Sequence, residues 1–386
     1  MIKPIPYGRQ NITEEDIQAV IEVLRSDFLT QGPAINAFED AFAKYVGAKY
    51  CVAVSNGTAA LHIAVACLEI EKGKEGVTSP NSFLASANCM VYNNIKPSFA
   101  DINSITYCVD SKSILNAINK NTSLLIPVHF AGQPCEMHEI ATVGKENDLF
   151  IIEDAAHAIG SRYADGSFVG NCKYSDLTIF SFHPVKTITT GEGGAITTNN
   201  KQLYERLLML RSHGMTNDPN VLNINPGPWY YEMHELGFNY RMTDIQAALG
   251  IQQLRKLDAF VSRRREIIKQ YNKAFNIIDW LTVPFEKTEG YSAFHLYVLK
   301  FDFEKIGKNR KQVMEELLKN GIGTQVHYIP IHTQPYYQIN YGFRFGDFPN
   351  AENYYQNVVS IPLYPAMTDA ECEYVINKIL SLKNRT

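Results

Sequence analysis

Lys186 occupies a position at which an amine could act as a nucleophile. It follows the apolar run LTIFSF (177–182) and precedes the glycine-rich turn GEGG, within the stretch SFHPVKTITTGEGGAITT (181–198). Desolvation lowers the pKa of a lysine, and the free amine can then attack a carbonyl to form a Schiff base. On an open surface the same side chain would be an ordinary charge, so its neighbours in the fold decide its role.

A second stretch, SNGTAALHIA (55–64), could bind an anion. A strand is predicted to end there and a helix to begin at once, so free backbone N–H groups and the helix dipole would attract negative charge. Gly57 allows a phosphate to approach the backbone closely, and Thr58 adds a hydroxyl donor. The same pattern also fits an ordinary capped helix without a ligand.

A third stretch, IIEDAAHAIG (151–160), places Asp154 at the end of a strongly apolar strand. A carboxylate is costly there unless a cationic group meets it. That group could be a protonated ring nitrogen or an arginine, and a helix cap is a further alternative. His157 could support the carboxylate or a cofactor, although a lone histidine is more often an ordinary core or boundary residue.

The three stretches fit one cofactor better than three unrelated roles. Pyridoxal phosphate needs an anion cradle for its phosphate, a carboxylate for its pyridine nitrogen and a lysine for its aldehyde. The chain supplies them in that order, with Lys186 standing 32 residues after Asp154. The sequence therefore predicts a pyridoxal-phosphate site.

The elements that would position these residues alternate between strands and helices. Apolar runs separated by helical stretches predict an α/β fold with a mostly parallel sheet covered on both faces. Ligands of such a sheet collect beyond the carboxyl ends of its strands. The predicted strands are 50–54, 76–79, 97–101, 123–128, 149–154, 177–182 and 194–198, and the predicted helices are 58–71, 83–93, 111–118 and 136–147.

The C-terminal part has a different pattern. A polar, proline-rich loop (216–233) precedes one long predicted helix (242–275), and a loop of that length is usually functional or covers a partner. A smaller α+β domain is predicted beyond it, with strands at 293–301 and 324–330 and helices at 308–319 and 369–382. We therefore expect a large cofactor-binding domain over 1–250 and a small one over 251–386.

Composition narrows the class of protein. A net charge of −4 gives no electrostatic reason to expect nucleic acid or an anionic membrane as a partner. The sequence shows no metal-ligand spacing, no signal peptide and no apolar run long enough to span a membrane. The seven scattered cysteines indicate reduced thiols in a cytoplasmic protein.

Four motifs, SNGTAAL, EDAAHAIG, SFHPVKTITTGEGGAITT and GFNYRMTDIQAALGIQQL, together resemble those of the DegT/DnrJ/EryC1/StrS sugar aminotransferases over nearly the whole chain. The resemblance implies a fold-type-I pyridoxal-phosphate enzyme in which Lys186 is catalytic. It also implies a homodimer with shared active sites, in which the 216–233 loop is a candidate for crossing to the partner. The cofactor-binding residues that the resemblance implies are Gly57, Thr58, Phe83, Asp154, Ser181, Lys186 and Asn239. His157, which could support the carboxylate or the cofactor, is predicted to belong to the same site.

Within the family, PYGRQNITEEDIQAVIEVLRSDFLTQGP and TQVHYIPIHTQPYYQ resemble the branch that aminates C4 of a UDP-linked 4-keto-6-deoxy sugar in pseudaminic acid biosynthesis. L-Glutamate is the amino donor that this resemblance implies. The residues that it implies for the nucleotide-sugar site are Tyr7, Asp27, Phe28, Leu29, Thr30, His183, Gln325, Val326, His327 and Tyr328.

Other branches remain alternatives at this point. His183 before Pro-Val-Lys favours the pseudaminic branch, but the 4-amino-arabinose branch shares the His-x-x-Lys pattern. Relatives that make perosamine or bacillosamine precursors usually carry Asn where this chain has Val185. A dehydratase on the same fold would replace Lys186 with histidine, and a non-enzymatic cofactor-bound regulator would usually append a DNA-binding domain that the sequence does not show.

Overall fold

The computed structural model of the chain describes residues 4–383. A seven-stranded sheet dominates its N-terminal part. The strands are β1 (Tyr50–Val54), β2 (Glu75–Thr78), β3 (Lys96–Phe99), β4 (Thr122–Ile126), β5 (Phe150–Asp154), β6 (Leu177–Ser181) and β7 (Gly194–Thr198). Their spatial order is β1-β7-β6-β5-β4-β2-β3. Only β7 runs against its neighbours, so the predicted mostly parallel α/β sheet is confirmed.

Helices cover both faces of this sheet. They are α1 (Glu14–Leu24), α2 (Pro33–Val46), α3 (Gly57–Ala66), α4 (Ala85–Tyr92), α5 (Ser111–Ala117), α6 (Met137–Glu146), α7 (Lys201–Arg211) and α8 (Asp244–Arg255). In β1, Cys51 and Ala53 pack in one apolar cluster while Val52 and Val54 pack in another. Burial on both faces explains why this strand reads as an uninterrupted apolar run.

The loop predicted at 216–233 is closed by a short antiparallel pair of strands, β8 (Met215–Thr216) and β9 (Glu232–Met233). Several large apolar side chains in and after this loop are exposed, among them Trp229 at 73% and Leu236 at 78%. The loop therefore presents an apolar surface to the outside of the chain.

A three-stranded antiparallel sheet lies in the C-terminal part of the chain. Its region comprises α9 (Leu257–Phe275), β10 (Leu281–Thr282), β11 (Tyr297–Phe301), α10 (Phe303–Ile306), α11 (Arg310–Lys319), α12 (Pro335–Tyr341), α13 (Pro349–Asn357), β12 (Val358–Ile361) and α14 (Asp369–Leu380). The strands lie in the order β10-β11-β12.

Core packing changes partners along α9. Phe260 and Val261 belong to a core cluster of the large sheet, whereas Ile267 and Tyr271 belong to the cluster around β11. Ile5 also packs in the latter cluster and pairs with Ile322, so the N-terminal segment reaches the C-terminal region. The division of the chain after residue 250 stays a prediction.

Three predicted elements differ in the structure. The helix predicted over 242–275 is two helices, α8 and α9, that meet at Lys256, whose N–H bonds to the carbonyl of Gln253 and so tightens the turn there. The strand predicted over 293–301 begins only at Tyr297, because Phe294 has a φ of 47° in the left-handed region. Residues 324–330 form no strand, since only Gln325 exchanges backbone hydrogen bonds, with Ser360.

Candidate active site

A cavity of about 910 Å³ opens where β5 and β6 end and α3 begins. This is the edge at which an open α/β sheet collects its ligands. The structure brings together there, from the residues predicted from sequence, Tyr7, Gly57, Thr58, Phe83, Asp154, His157, Ser181, His183, Lys186, His327 and Tyr328.

The N-terminus of α3 forms one end of the cavity. The Asn56 side chain caps the helix by accepting the Ala59 N–H at 2.8 Å. The first N–H groups of a helix have no partner within it, so those of Gly57 and Thr58 remain available to a ligand. The Thr58 side chain and Ser181, at the end of β6, also line this end of the cavity. Together these groups offer hydrogen-bond donors suited to a phosphate.

Asp154 ends β5 and is only 4% exposed. Its Oδ2 accepts a hydrogen bond from Ser86 Oγ at 2.6 Å, and its Oδ1 accepts the N–H of Ala156 at 3.1 Å. Each carboxylate oxygen can accept more than one hydrogen bond, so Asp154 keeps acceptor capacity toward the cavity.

Lys186 lies at the cavity wall, four residues after Phe182, the last residue of the apolar run. Burial among protein atoms lowers the pKa of its amine to about 8, and the charge of Asp154 acts in the opposite direction. No carboxylate or carbonyl within residues 4–383 forms a hydrogen bond or ion pair with Nζ, although the backbone N–H of Lys186 bonds to His183. With a pKa of about 8, about a tenth of the amine is unprotonated at pH 7 and about half at pH 8.

His157 and Tyr328 form a hydrogen-bonded pair beside Lys186. His157 Nδ1 accepts the backbone N–H of Ala131 at 3.2 Å, and Nε2 lies 3.0 Å from the Tyr328 hydroxyl. Burial, Lys186 and His327 lower the pKa of His157 well below its ordinary value, so the ring is neutral. Because an amide N–H can only donate, Nδ1 carries no proton and Nε2–H donates to the Tyr328 oxygen. The hydroxyl proton of Tyr328 is then free to point to a ligand.

Two more neutral histidines face the same cavity. Burial and Lys186 lower the pKa of His327 to about 3, and its Nδ1 contacts the Ser360 hydroxyl at 2.8 Å. Burial first, and then the neighbouring His157, Lys186 and Arg264, lower the pKa of His295 well below its ordinary value. The cavity therefore presents polar but uncharged imidazoles around one lysine.

Several lining residues were not anticipated from the sequence, notably Ser86, Glu192, Tyr240 and His295. A histidine inside the apolar run AFHLYVLKF was a readable signal for His295. Ser86 had no such signal, because its partner Asp154 is 68 residues away in the chain.

The remaining predicted site residues lie outside the cavity of this single chain. The segment Asp27–Thr30 is exposed and Thr30 pairs with Thr243, at the start of α8. Asn239 is exposed and pairs with Ser212, whereas Gln325 and Val326 precede the cavity-lining His327. Their roles stay predictions.

The cavity fits pyridoxal phosphate. At its anion end a Cβ added to Gly57 would lie 2.8 Å from the Ser181 Cβ, so only glycine leaves this part of the cradle open. The hydroxyls of Thr58 and Ser181 suit the phosphate, Asp154 suits a protonated ring nitrogen, and Lys186 suits the aldehyde. Phe83, which is 58% exposed beside the cavity, offers an aromatic face to the ring.

Other classes of site find less support in the described residues. Between residues 4 and 383, no cluster of three or more histidine, cysteine or acidic side chains is arranged to hold a metal ion. None of the helices described has both the length and the apolar character to cross a membrane. The seven cysteines are all free and buried in this structure.

Comparison with known proteins agrees with this geometry. The model of the DegT/DnrJ/EryC1/StrS aminotransferase family matches residues 10–380. The Bacillus subtilis spore coat polysaccharide biosynthesis protein SpsC is 41% identical over 376 residues, which are 97% of this chain and 96% of SpsC.

Two proteins of known structure are similar to this chain in fold. Helicobacter pylori PseC, an aminotransferase involved in the biosynthesis of pseudoaminic acid, superposes with a TM-score of 0.92 at 30% identity over 99% of both chains. The sugar aminotransferase Spr1654 of Streptococcus pneumoniae, in its PLP form, has a TM-score of 0.90 at 29% identity over 98% of both chains. A structure of its PMP form is similar to the same degree.

Proposed function

The chain belongs to the DegT/DnrJ/EryC1/StrS aminotransferase family, and from that premise we propose that it transfers the amino group of L-glutamate to C4 of a nucleotide-linked 4-keto-6-deoxy sugar. The protein is a pyridoxal-phosphate-dependent sugar aminotransferase, and the proposal concerns its donor, its sugar and its residues. When bound, pyridoxal phosphate supplies an electron sink and a carrier for the amino group.

One observation carries the assignment of roles. Lys186 faces the same cavity as Asp154 and the N-terminus of α3, its pKa is lowered, and its Nζ has no hydrogen-bonding partner among residues 4–383. An amine with a pKa of about 8 can accept a proton from the amino-acid Cα and return it later, which is the work of a general base and acid. Asp154 holds a proton at the ring nitrogen of the cofactor. Gly57, Thr58 and Ser181 hold the phosphate.

The sugar that we favour is UDP-2-acetamido-2,6-dideoxy-β-L-arabino-hexos-4-ulose, which is aminated in pseudaminic acid biosynthesis. The similarity to PseC supports this choice. Tyr7, His183, His327 and Tyr328 line the cavity beside Lys186 and are the candidates for contact with the sugar. Because burial lowers the pKa of His327 to about 3, its imidazole is neutral near pH 7 and can recognise hydroxyl or carbonyl groups without adding charge.

We extend the proposal to a homodimer with shared active sites. Asn239 is exposed, lies outside the cavity of its own chain and follows the apolar surface that includes Trp229 and Leu236. A second copy seated on that surface would bury these side chains and bring Asn239 toward the phosphate in the partner's cavity. The exposed segment Asp27–Thr30 would complete the nucleotide-sugar site in the same assembly.

One alternative has a specific observation in its favour. The identity to SpsC, 41%, exceeds the 30% identity to PseC. The acceptor in the alternative is a different nucleotide-linked keto sugar, of the 4-amino-arabinose, perosamine or bacillosamine type, and the product enters another polysaccharide.

A panel of sugars separates these alternatives. The loaded protein is incubated with [15N]glutamate and UDP-, dTDP- or GDP-linked 4-keto-6-deoxy sugars, and the products are identified by mass spectrometry and NMR. We expect 15N at C4 of the UDP-linked acetamido sugar at the highest kcat/KM. A higher kcat/KM for a dTDP- or GDP-linked sugar would contradict the pseudaminic proposal.

A further inference from the structure

Two buried serine hydroxyls, those of Ser86 and Ser82, form a hydrogen-bonded chain that ends on Asp154, and both residues also line the cavity. Ser86 Oγ lies 2.6 Å from Asp154 Oδ2, and Ser82 Oγ lies 2.6 Å from Ser86 Oγ. Ser86 is 1% exposed and Ser82 is 4% exposed, so water does not replace either contact freely. Both contacts are at the short end of the range for O–H···O hydrogen bonds.

The direction of each hydrogen bond follows from the chemistry of the groups. An ionised carboxylate can only accept, so the single proton of Ser86 is donated to Asp154. The oxygen of Ser86 must then accept the proton of Ser82. The order of donation is therefore Ser82 to Ser86 to Asp154, and the last bond fixes the orientation of the carboxylate that accepts it.

The same segment carries the aromatic ring beside the cavity. Phe83 lies between the two serines in sequence, and its carbonyl accepts the N–H of Ser86 at 3.2 Å. The bond from Ser86 to Asp154 therefore joins the start of α4 to the end of β5. One contact holds in place both the carboxylate and the backbone that presents Phe83.

We propose that Ser86 is a positioning residue that keeps the Asp154 carboxylate aimed at the cofactor ring, and that Ser82 supports it. This proposal rests on the proposed pairing of Asp154 with the ring nitrogen. A carboxylate without the Ser86 bond loses one of its two hydrogen bonds to the protein and can turn away from the ring nitrogen. The ring nitrogen then loses proton occupancy, and the electron sink on which the enzyme depends is weakened.

The test uses full-length protein loaded with pyridoxal phosphate that carries 15N in the ring. The variants are Ser86→Ala and Ser82→Ala. The matched control is Ser161→Ala, which removes another fully buried serine hydroxyl that bonds to Gly132 and Ala293 outside the cavity. The 15N resonance of the ring, the dissociation constant of the cofactor and the thermal unfolding midpoint are measured for each.

We expect Ser86→Ala to move the ring resonance toward the unprotonated position and to weaken cofactor binding about tenfold, the scale of a hydrogen bond to a charged group. Ser82→Ala should move the resonance in the same direction by less, and Ser161→Ala should leave it in place. A wild-type resonance and affinity in Ser86→Ala would overturn the proposal, as would an equal shift in Ser161→Ala.

If Ser86→Ala does not fold, Ser82→Ala decides alone. A shift toward the unprotonated position supports the order of donation, and an unchanged resonance overturns it. Failure of the proposed function would give a different result from failure of the Ser86 proposal. If the ring nitrogen of the cofactor in the wild-type protein carries no proton, the role of Asp154 is contradicted before any serine is changed.

Discussion

Gly57 and Ser181 approach each other so closely that a Cβ on Gly57 would lie 2.8 Å from the Ser181 Cβ and 3.1 Å from its Oγ. A Cβ atom essentially never lies within 3.0 Å of a nonbonded heavy atom of another residue, so one of the two elements must shift if the glycine is replaced. Gly57 opens α3 and Ser181 closes β6. Their separation therefore sets the width of the proposed phosphate cradle.

Gly57→Ala should weaken cofactor binding at least tenfold, because a helix N-terminus displaced from Ser181 cannot share one phosphate with it. The dissociation constant of pyridoxal phosphate, measured by absorbance titration, checks this. Gly73→Ala is the control: it lies in a surface turn with no atom within 4 Å of the added Cβ. Gly73→Ala should lower the free energy of unfolding by about 1 kcal/mol, because Gly73 has a left-handed backbone conformation. The affinity for the cofactor should stay that of the wild type. Equal affinities for the two variants would contradict the cradle.

The capture of pyridoxal phosphate by cofactor-free protein should depend on pH through Lys186. The pKa of Lys186 falls from its ordinary value of 10.5 to about 8, so the reactive free amine appears as pH rises through 8. The capture rate should rise between about pH 7 and 9 and level off above that. Stopped-flow absorbance measures the rate, with Lys186→Ala as the background from surface lysines. A rate that keeps rising toward pH 10.5 would show that Lys186 is an ordinary lysine.

Tyr328→Phe should impair sugar binding while the cofactor stays bound. His157 donates to the Tyr328 oxygen, so the hydroxyl proton is available to the substrate, and burial raises the pKa of Tyr328 so that it keeps this proton. Loss of one neutral hydrogen bond should raise KM for the sugar about three- to tenfold. Steady-state kinetics with the sugar and with glutamate varied separately give the comparison. An unchanged KM for the sugar would remove Tyr328 from the substrate site.

Glu39→Gln should destabilise the large sheet. Glu39 is buried in α2, accepts the N–H of Ala53 at 2.7 Å and pairs with Arg211 at 2.5 Å. Breaking a buried ion pair costs about 3–5 kcal/mol because one charge is left without its partner. Glu205→Gln, which breaks the exposed pair with Lys201, should cost less than about 1 kcal/mol. Denaturant unfolding of both variants measures the difference, and similar midpoints would contradict this reading of Glu39.

The strands could be read from the sequence because a parallel sheet buried on both faces leaves uninterrupted apolar runs such as YCVAV and LTIFSF. The reversed direction of β7 could not be read, since the pattern of GAITT is the same in either direction. Helix α1 was missed although its capping box, formed by Thr13 and Asp16, was visible in the sequence. Its apolar face is short, and it is stabilised by packing on α8.

The position of a cavity residue could be predicted where that residue ends a strand. It could not be predicted where it depends on how two elements pack against each other. Asp154 and Ser181 end strands, so the sheet itself brings them to one edge. The contact of Ser86 with Asp154 depends on how α4 packs against β5, and the spacing of the residues carries no information about that. In the proposed homodimer, the roles of the exposed Asn239 and Asp27–Thr30 would depend on a second chain.

The proposed role of Lys186 is tested most directly by locating the residue that carries the cofactor. Wild-type protein loaded with pyridoxal phosphate is reduced with borohydride, digested and mapped by tandem mass spectrometry, and Lys186→Ala is treated in parallel. We expect the cofactor mass on Lys186 in the wild type, and in the variant neither that label nor transfer of nitrogen from glutamate to the sugar. A label on another lysine, or a variant that still transfers nitrogen, would contradict it.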